Sequence, residues 1–170
     1  MPRPEKTEYA AFYQPYIDKI EGEDLSLIIG SYSEASLEFW QSIPEEMADF
    51  AYAPGKWTVM QVLNHINDAE RIFAYRALRI ARGDETPLAG FDENDYADAA
   101  QLHHRTLHDL IQEFQAIRAS SLFLFGSFGE RELLRIGTAN GVPVSVNAIG
   151  FVILGHMLHH EEVMRERYGV

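Results

Sequence analysis

The sequence predicts an all-α protein, a four-helix bundle, and three observations predict it. Four long stretches carry apolar residues at spacings of three and four, the period of a helix with one buried face. Capping side chains, or a glycine or proline, stand at the ends of these stretches. Only one short segment, between Leu133 and Val146, has the β-branched character of a strand.

Taken in order, residues 8–20 (EYAAFYQPYIDKI) hold Tyr9, Phe12, Tyr13 and Tyr16 around Pro15, which suits a short helix or an arm packed on the core. Asp24 is placed to cap a first long helix running to about Ser42, with Leu27, Ile28, Leu37 and Phe39 among its apolar residues. Pro44 ends it. After the loop APGKW, Thr58 and Gln61 form a capping box that opens a second helix from Val59 to about Arg82, with Gly83 following its last turn. Its inward stripe reads Val62, His65, Ala69, Ile72. Residues 84–98 (DETPLAGFDENDYAD) carry no helical period and read as an acidic loop. A third helix is expected over 99–121, with Leu107, Leu110, Phe114, Ile117 and Ser121 on one side. In LLRIGTANGVPVSV, Asn140-Gly141 separates two β-branched stretches, a small hairpin or irregular loop in which Pro143 keeps the second strand short. Ser145 then caps a fourth helix to about Tyr168, with the stripe Ile149, Ile153, His156, His160, Val163. Modest connections favour an antiparallel-type bundle; the crossover topology is not fixed by these patterns.

A chain of 170 residues and 19.4 kDa is the size of one domain, so residues 1–170 are expected to share a single core. With 14 basic against 26 acidic residues the formal charge is −12, which repels phosphate backbones and argues against a nucleic-acid partner. No apolar run reaches the roughly 20 residues that span a bilayer, so no membrane partner is expected. The opening MPRPEKTEYA lacks the apolar stretch of a signal peptide, and a cytoplasmic location is the expectation. Cysteine is absent. That excludes disulfides, thiolate metal sites and catalysis by the chain's own thiol, so any thiol in the reaction comes from outside. GxSxG, P-loop and GxGxxG motifs are also absent, which leaves serine hydrolase and nucleotide-binding readings without support.

The anomaly lies in the imidazoles. His65 occupies a slot on the buried stripe of the second helix, and His156 and His160 occupy consecutive slots on that of the fourth. Residues four apart share a helix face with Cβ atoms about 6 Å apart, so H-x-x-x-H can clasp one ion. A third imidazole from a facing helix completes an N₃ set with a position left open for water or substrate. Singly, a histidine such as His65 is more often a hydrogen-bonded core residue than a ligand. Together, three unpaired buried imidazoles would be costly, and a shared cation removes that cost. His159, three residues after His156, competes with His160 for the same role, although the stripe places it at a flank or the pocket rim. His104 and His108 repeat the H-x-x-x-H spacing beside Arg105 and Asp109, off the apolar stripe, and read as a solvated face. His103 lies nearer the stripe, as a pocket residue from a third helix. Asp68 and Glu70 are candidates to orient an imidazole from behind, or simply part of a solvated face. Asp92, Asp95 and Tyr96 sit on the acidic loop, which either closes over the site or is merely solvated. Trp57 reads as an anchor of the loop–helix junction, and Met157 and Met164 as core.

The stretch PGKWTVMQVLNHINDAERIFAYRALRIARGDETPLAGFDENDYA and the ending GHMLHHEEVMRERY, with the opening FYQPYIDKIEGEDL, resemble the DinB-like (DinB/YfiT-like) superfamily of metal-binding four-helix proteins over nearly the whole chain. The resemblance implies an up-down-down-up bundle holding one divalent ion, usually nickel or zinc, by three histidines that fall on His65, His156 and His160. It implies a homodimer. It also implies a reaction class: characterised relatives include transferases using bacillithiol or mycothiol and a thiol-dependent maleylpyruvate isomerase, while others are assigned only in outline as metal-dependent hydrolases.

The first expectation is therefore a metal-dependent thiol S-transferase, in which a low-molecular-weight thiol, its pKa lowered by the ion, attacks a small electrophilic substrate. The second is a hydrolase activating water at the same open position, with no general base identified. The third is a non-catalytic, stress-linked bundle that binds a metal or ligand, against which a three-histidine set argues, since structural zinc normally has four protein ligands.

Overall fold

The computed structural model describes residues 2–170 and is mostly helical. A short 3₁₀ turn at Ala11–Tyr13 leads into α1 (Gln14–Ile17), with Pro15 in its first turn, where the missing N–H costs nothing. Asp24 accepts from Ser26 N at 2.9 Å and opens α2 (Leu25–Gln41). After a 3₁₀ turn at Glu45–Met47, the Thr58/Gln61 box opens α3 (Val59–Ala81): Gln61 N donates to Thr58 Oγ1 at 3.2 Å, and Thr58 N to Gln61 Oε1 at 2.9 Å.

The third quarter departs from the pattern reading in two places. Residues expected as an acidic loop contain α4 (Glu93–Ala99), because the Asp92 carboxylate accepts from Asn94 N and Asp95 N and nucleates a turn that apolar periodicity does not reveal. The long helix after it, α5 (Leu107–Gly126), starts eight residues later than expected and runs five further. Thr106 and Asp109 set its start through a second capping box, a T-x-x-D rather than T-x-x-E/Q. After α6 (Glu130–Leu133), the expected hairpin forms as β1 (Ile136–Ala139) and β2 (Val142–Ser145), with Gly137 opposite Val144 and Thr138 opposite Pro143. Asn140 and Gly141 take positive φ, 52° and 75°, as a two-residue turn of this hand requires. Ser145 caps α7 (Val146–Val163), and the chain continues to Tyr168 as a π turn rather than an α-helix, ending at Gly169 with φ 75°.

The four long helices α2, α3, α5 and α7 form the bundle, with α3 and α2 each packed mainly on α5 and α7. Asn67 near the start of α3 donates to Leu110 O near the start of α5, so these two run parallel. Leu25 at the start of α2 meets Gly150 near the start of α7, so these two also run parallel. Leu25 also lines one hollow with Phe125 at the end of α5, and His65 at the start of α3 meets the end of α7, which sets the pairs antiparallel to each other. The bundle is up-down-down-up. Its core holds Trp40, Leu63, Leu110, Phe114, Phe151 and Leu154, all essentially inaccessible. Among the described residues no helix is long and apolar enough to cross a membrane.

One polar layer crosses this core. Arg118 of α5 meets Glu70 of α3 through two parallel hydrogen bonds, Nε to Oε1 at 2.9 Å and Nη2 to Oε2 at 2.7 Å, and reaches Ser33 of α2 at 3.3 Å. Both charged residues are almost fully buried. Glu70 is thus a structural partner, neither a solvated face nor a support for an imidazole.

Candidate metal centre

The capping box fixes where α3 begins and so places His65 in its second turn, facing the end of α7. On α7, His156 and His160 stand one turn apart with ring centroids 4.6 Å apart. All three rings present Nε2 to a common point. His65 Nε2 lies 3.0 Å from His156 Nε2, and His160 Nε2 lies 3.2 Å from His156 Nε2. Ligand atoms of the three all fall within 4.8 Å of one another.

Hydrogen bonding alone serves this arrangement poorly. A neutral imidazole offers at Nε2 either one proton or one lone pair, so His156 pairs well with only one of its two neighbours. A divalent cation accepts all three lone pairs. Zinc–nitrogen bonds of about 2.0–2.1 Å at tetrahedral angles place nitrogens about 3.3–3.4 Å apart, close to the spacings found here. Burial lowers the pKa of all three rings. His65 is pushed down to about 4 and His160 to about 3, chiefly by desolvation. His156 is driven well below 6.5, first by desolvation and then by its neighbours His160 and His65. All three are therefore neutral at pH 7, the form that ligates metals.

The cluster forms the floor of a pocket of about 370 Å³. Its walls are aromatic: Phe12, Tyr13 and Tyr16 from the N-terminal arm, Trp57 from the loop before α3, Phe73 from α3 and Phe91 from the loop before α4. The Tyr16 ring stands edge-on to His156 and to His159, 5.5 Å from each centroid, and Trp57 lies 4.9 Å from His65. Trp57 therefore touches the site as well as the junction, where its carbonyl accepts from Tyr168 OH at 2.7 Å. His159 is half-buried at the rim, beside His160. Ala69, Arg76, Glu93 and Asn140 complete the lining.

Other residues singled out in the sequence lie elsewhere. Asp68 hydrogen-bonds Asn64 at 3.0 Å and pairs with Arg71 at 3.6 Å, with no contact to an imidazole ligand. His103 precedes α5, exposed, in a separate hollow with Glu45, Asp49 and Arg105, because the helix expected to carry it inward begins only at Leu107. His104 and His108 are exposed, the latter bonded to Gln112. Of the acidic segment, Glu93 reaches the pocket, whereas Asp92 is occupied as a cap and Asp95 and Tyr96 are exposed. Sequence reasoning overlooked the arm tyrosines, Arg76 and Glu93. Arg76 was within reach, since it lies eleven residues, three helical turns, from His65 on the same face of α3.

The family model for the DinB superfamily matches residues 33–164. No curated protein sequence matches the chain. Among solved structures, YfiT from Bacillus subtilis superposes with a TM-score of 0.68 at 16% identity, covering 98% of this chain and 93% of its own; it is described as "a probable metal-dependent hydrolase with an unusual four-helix bundle topology". The DinB-like protein YjoA, also from Bacillus subtilis, superposes with a TM-score of 0.57 at 15% identity, covering 86% of this chain and 92% of its own.

Proposed function

The chain belongs to the DinB superfamily, and on that premise we propose that it is a metal-dependent enzyme acting on a small molecule, with His65, His156 and His160 holding one divalent ion. The observation that carries this reading is the convergence of three neutral Nε2 atoms at the floor of an open, aromatic-walled pocket. Three protein ligands are the number that leaves a coordination position for chemistry. Nickel and zinc are the ions this donor set suits, since imidazole is a good ligand for both.

The reaction we favour is transfer of an external low-molecular-weight thiol to an electrophile. A bound ion would lower the pKa of the thiol or water that shares its open position. The chain's own residues do the rest. The imidazoles stay unprotonated at neutral pH because they are buried, and the aromatic walls hold an apolar electrophile while limiting water. The absence of cysteine accords with a thiol supplied from outside.

A second reading, hydrolysis, is favoured by the description of YfiT and by His159. That ring lines the pocket and is held below its ordinary pKa by partial burial and then by Lys19. It is therefore neutral at pH 7 and placed to take a proton from water.

The test is metal content by mass spectrometry on untagged protein, beside the His65→Ala, His160→Ala and His104→Ala variants. The reading expects about one ion per chain, lost in the first two variants and kept in the third. Turnover that requires added thiol then supports the transferase. Turnover in buffer alone, abolished by His159→Ala, supports the hydrolase.

A further inference from the structure

Arg76 is 4% exposed, yet among the described residues it has no carboxylate partner. Among the described residues its guanidinium makes one hydrogen bond, from Nη2 to Ala89 O at 2.7 Å, and no ion pair. The other deeply buried arginine, Arg118, shows the ordinary solution, a two-pronged bond to Glu70. A guanidinium so little exposed is ordinarily paired, and with one bond made Arg76 leaves most of its five N–H donors free for a ligand in the pocket it lines.

The pocket shows what. Arg76 lines it together with the imidazole cluster. Phe73 stands between them, its ring 5.9 Å from Arg76 Cζ and 5.9 Å from the His156 ring. The Phe91 ring also lies near the guanidinium, 6.0 Å from Arg76 Cζ. Tyr13, buried in the same wall, is close enough for its phenol to feel the charge. Glu93 is the one acid in the lining, and it is exposed and makes no ion pair with Arg76. The pocket therefore has two polar ends joined by an aromatic wall. One end suits a cation and a reacting group, and the other offers a planar fork of N–H donors matched to an oxyanion.

We propose that Arg76 is the anion-recognition residue of this pocket, and that the substrate is a small organic molecule with a flat apolar body and an oxyanion at the end remote from the histidines. This deepens the proposed function by naming a substrate class, but the binding of the anion by Arg76 does not depend on the metal.

Benzoate, benzamide of nearly the same shape without the charge, and inorganic phosphate are the probes. Each is titrated into the protein as purified and after chelation, followed by the Arg76 Nε–H and Trp57 indole signals in nitrogen-15 NMR spectra. Benzoate is expected to shift both signals and to bind at least about tenfold more tightly than benzamide. Phosphate is expected to shift the Arg76 signal alone. In Arg76→Gln, benzoate is expected to lose that advantage and benzamide to bind as before. Arg76→Lys, which keeps the charge and loses the fork, is expected to fall between, and it serves alone should Arg76→Gln fail to fold. Equal affinities for benzoate and benzamide, an Arg76 signal unmoved by both anions, or an Arg76→Lys variant with unchanged preference would each overturn the proposal. Because the chelated protein is measured too, a failure here is distinct from a failure of the metal reading, which shows itself in metal content.

Discussion

The backbone of Tyr16 crosses α7 at Gly155, and the two segments touch without a side chain between them. A Cβ on Gly155 would stand 2.9 Å from Tyr16 Cα and closer still to its carbonyl. Glycine there lets the N-terminal arm lie flat on α7, which brings the Tyr16 ring edge-on to His156. The pocket roof thus depends on a residue that never faces the pocket.

Gly155→Ala is accordingly expected to destabilise the protein by about 1–3 kcal/mol, because the atom in the way is backbone and cannot swing aside. Chemical denaturation measures this. The loss should persist in a Tyr16→Ala background, since truncating the ring leaves the clashing carbonyl in place. Stability equal to wild type would mean that the arm lifts from α7 at no cost, and the account of the roof would fail.

Glu70 and Arg118 make the second prediction. Glu70→Ala leaves a buried guanidinium whose remaining hydrogen-bond partners are Ser33 and the Met157 sulfur, with the Glu161 carboxylate near enough to feel its charge but not bonded to it. Breaking one side of a buried pair typically costs about 3–5 kcal/mol. Replacing both partners, as Glu70→Leu with Arg118→Met, is expected to recover most of that loss. Unfolding midpoints in a double-mutant cycle check it, and a double variant as unstable as the sum of the singles would contradict it.

Much of this molecule was legible in its sequence. The Thr58/Gln61 capping box, the Asn140-Gly141 turn and the stripes on α3 and α7 mark elements that form where the patterns place them, and the same stripes bring His65, His156 and His160 to one point. What stayed hidden has physical causes. The turn of α4 is held by a carboxylate cap rather than by a buried stripe, so periodicity is blind to it. The late start of α5 follows from a box ending in Asp109, and it alone decides that His103 stays outside. The pairing of Glu70 with Arg118 joins residues 48 positions apart, which no local spacing reveals. The roof from Tyr13 and Tyr16 depends on a backbone crossing at Gly155, a contact between the two ends of the chain.

Metal removal makes the third prediction. An ion that binds the folded chain and not the unfolded one stabilises it by about 2.7 kcal/mol when present at a hundredfold excess over its dissociation constant. Adding nickel or zinc to chelated wild-type protein should therefore raise the melting temperature. The same addition should leave His156→Ala unmoved, because that ring is the one within hydrogen-bonding distance of both others. A rise as large in the variant would place the ion elsewhere.

The pH dependence of the metal-free protein follows from the direction in which burial moves these rings. In the unfolded chain each histidine titrates near its ordinary value of about 6.5. In the fold, His65 is pushed down to about 4 and His160 to about 3. Between those limits the unfolded state binds protons that the folded state refuses, so stability falls as pH falls. The contribution is intact above pH 6.5 and is lost progressively toward pH 4 and below. Glu161, also buried, has its pKa raised by desolvation and works in the opposite sense, toward greater stability as it protonates. The histidine part is isolated by comparing the chelated wild type with His65→Gln. The wild type should lose more stability than the variant between pH 7 and pH 5, and the two curves should run parallel above pH 7. Parallel curves across the whole range would mean that His65 is solvated in the metal-free protein, and that the cluster assembles only around its ion.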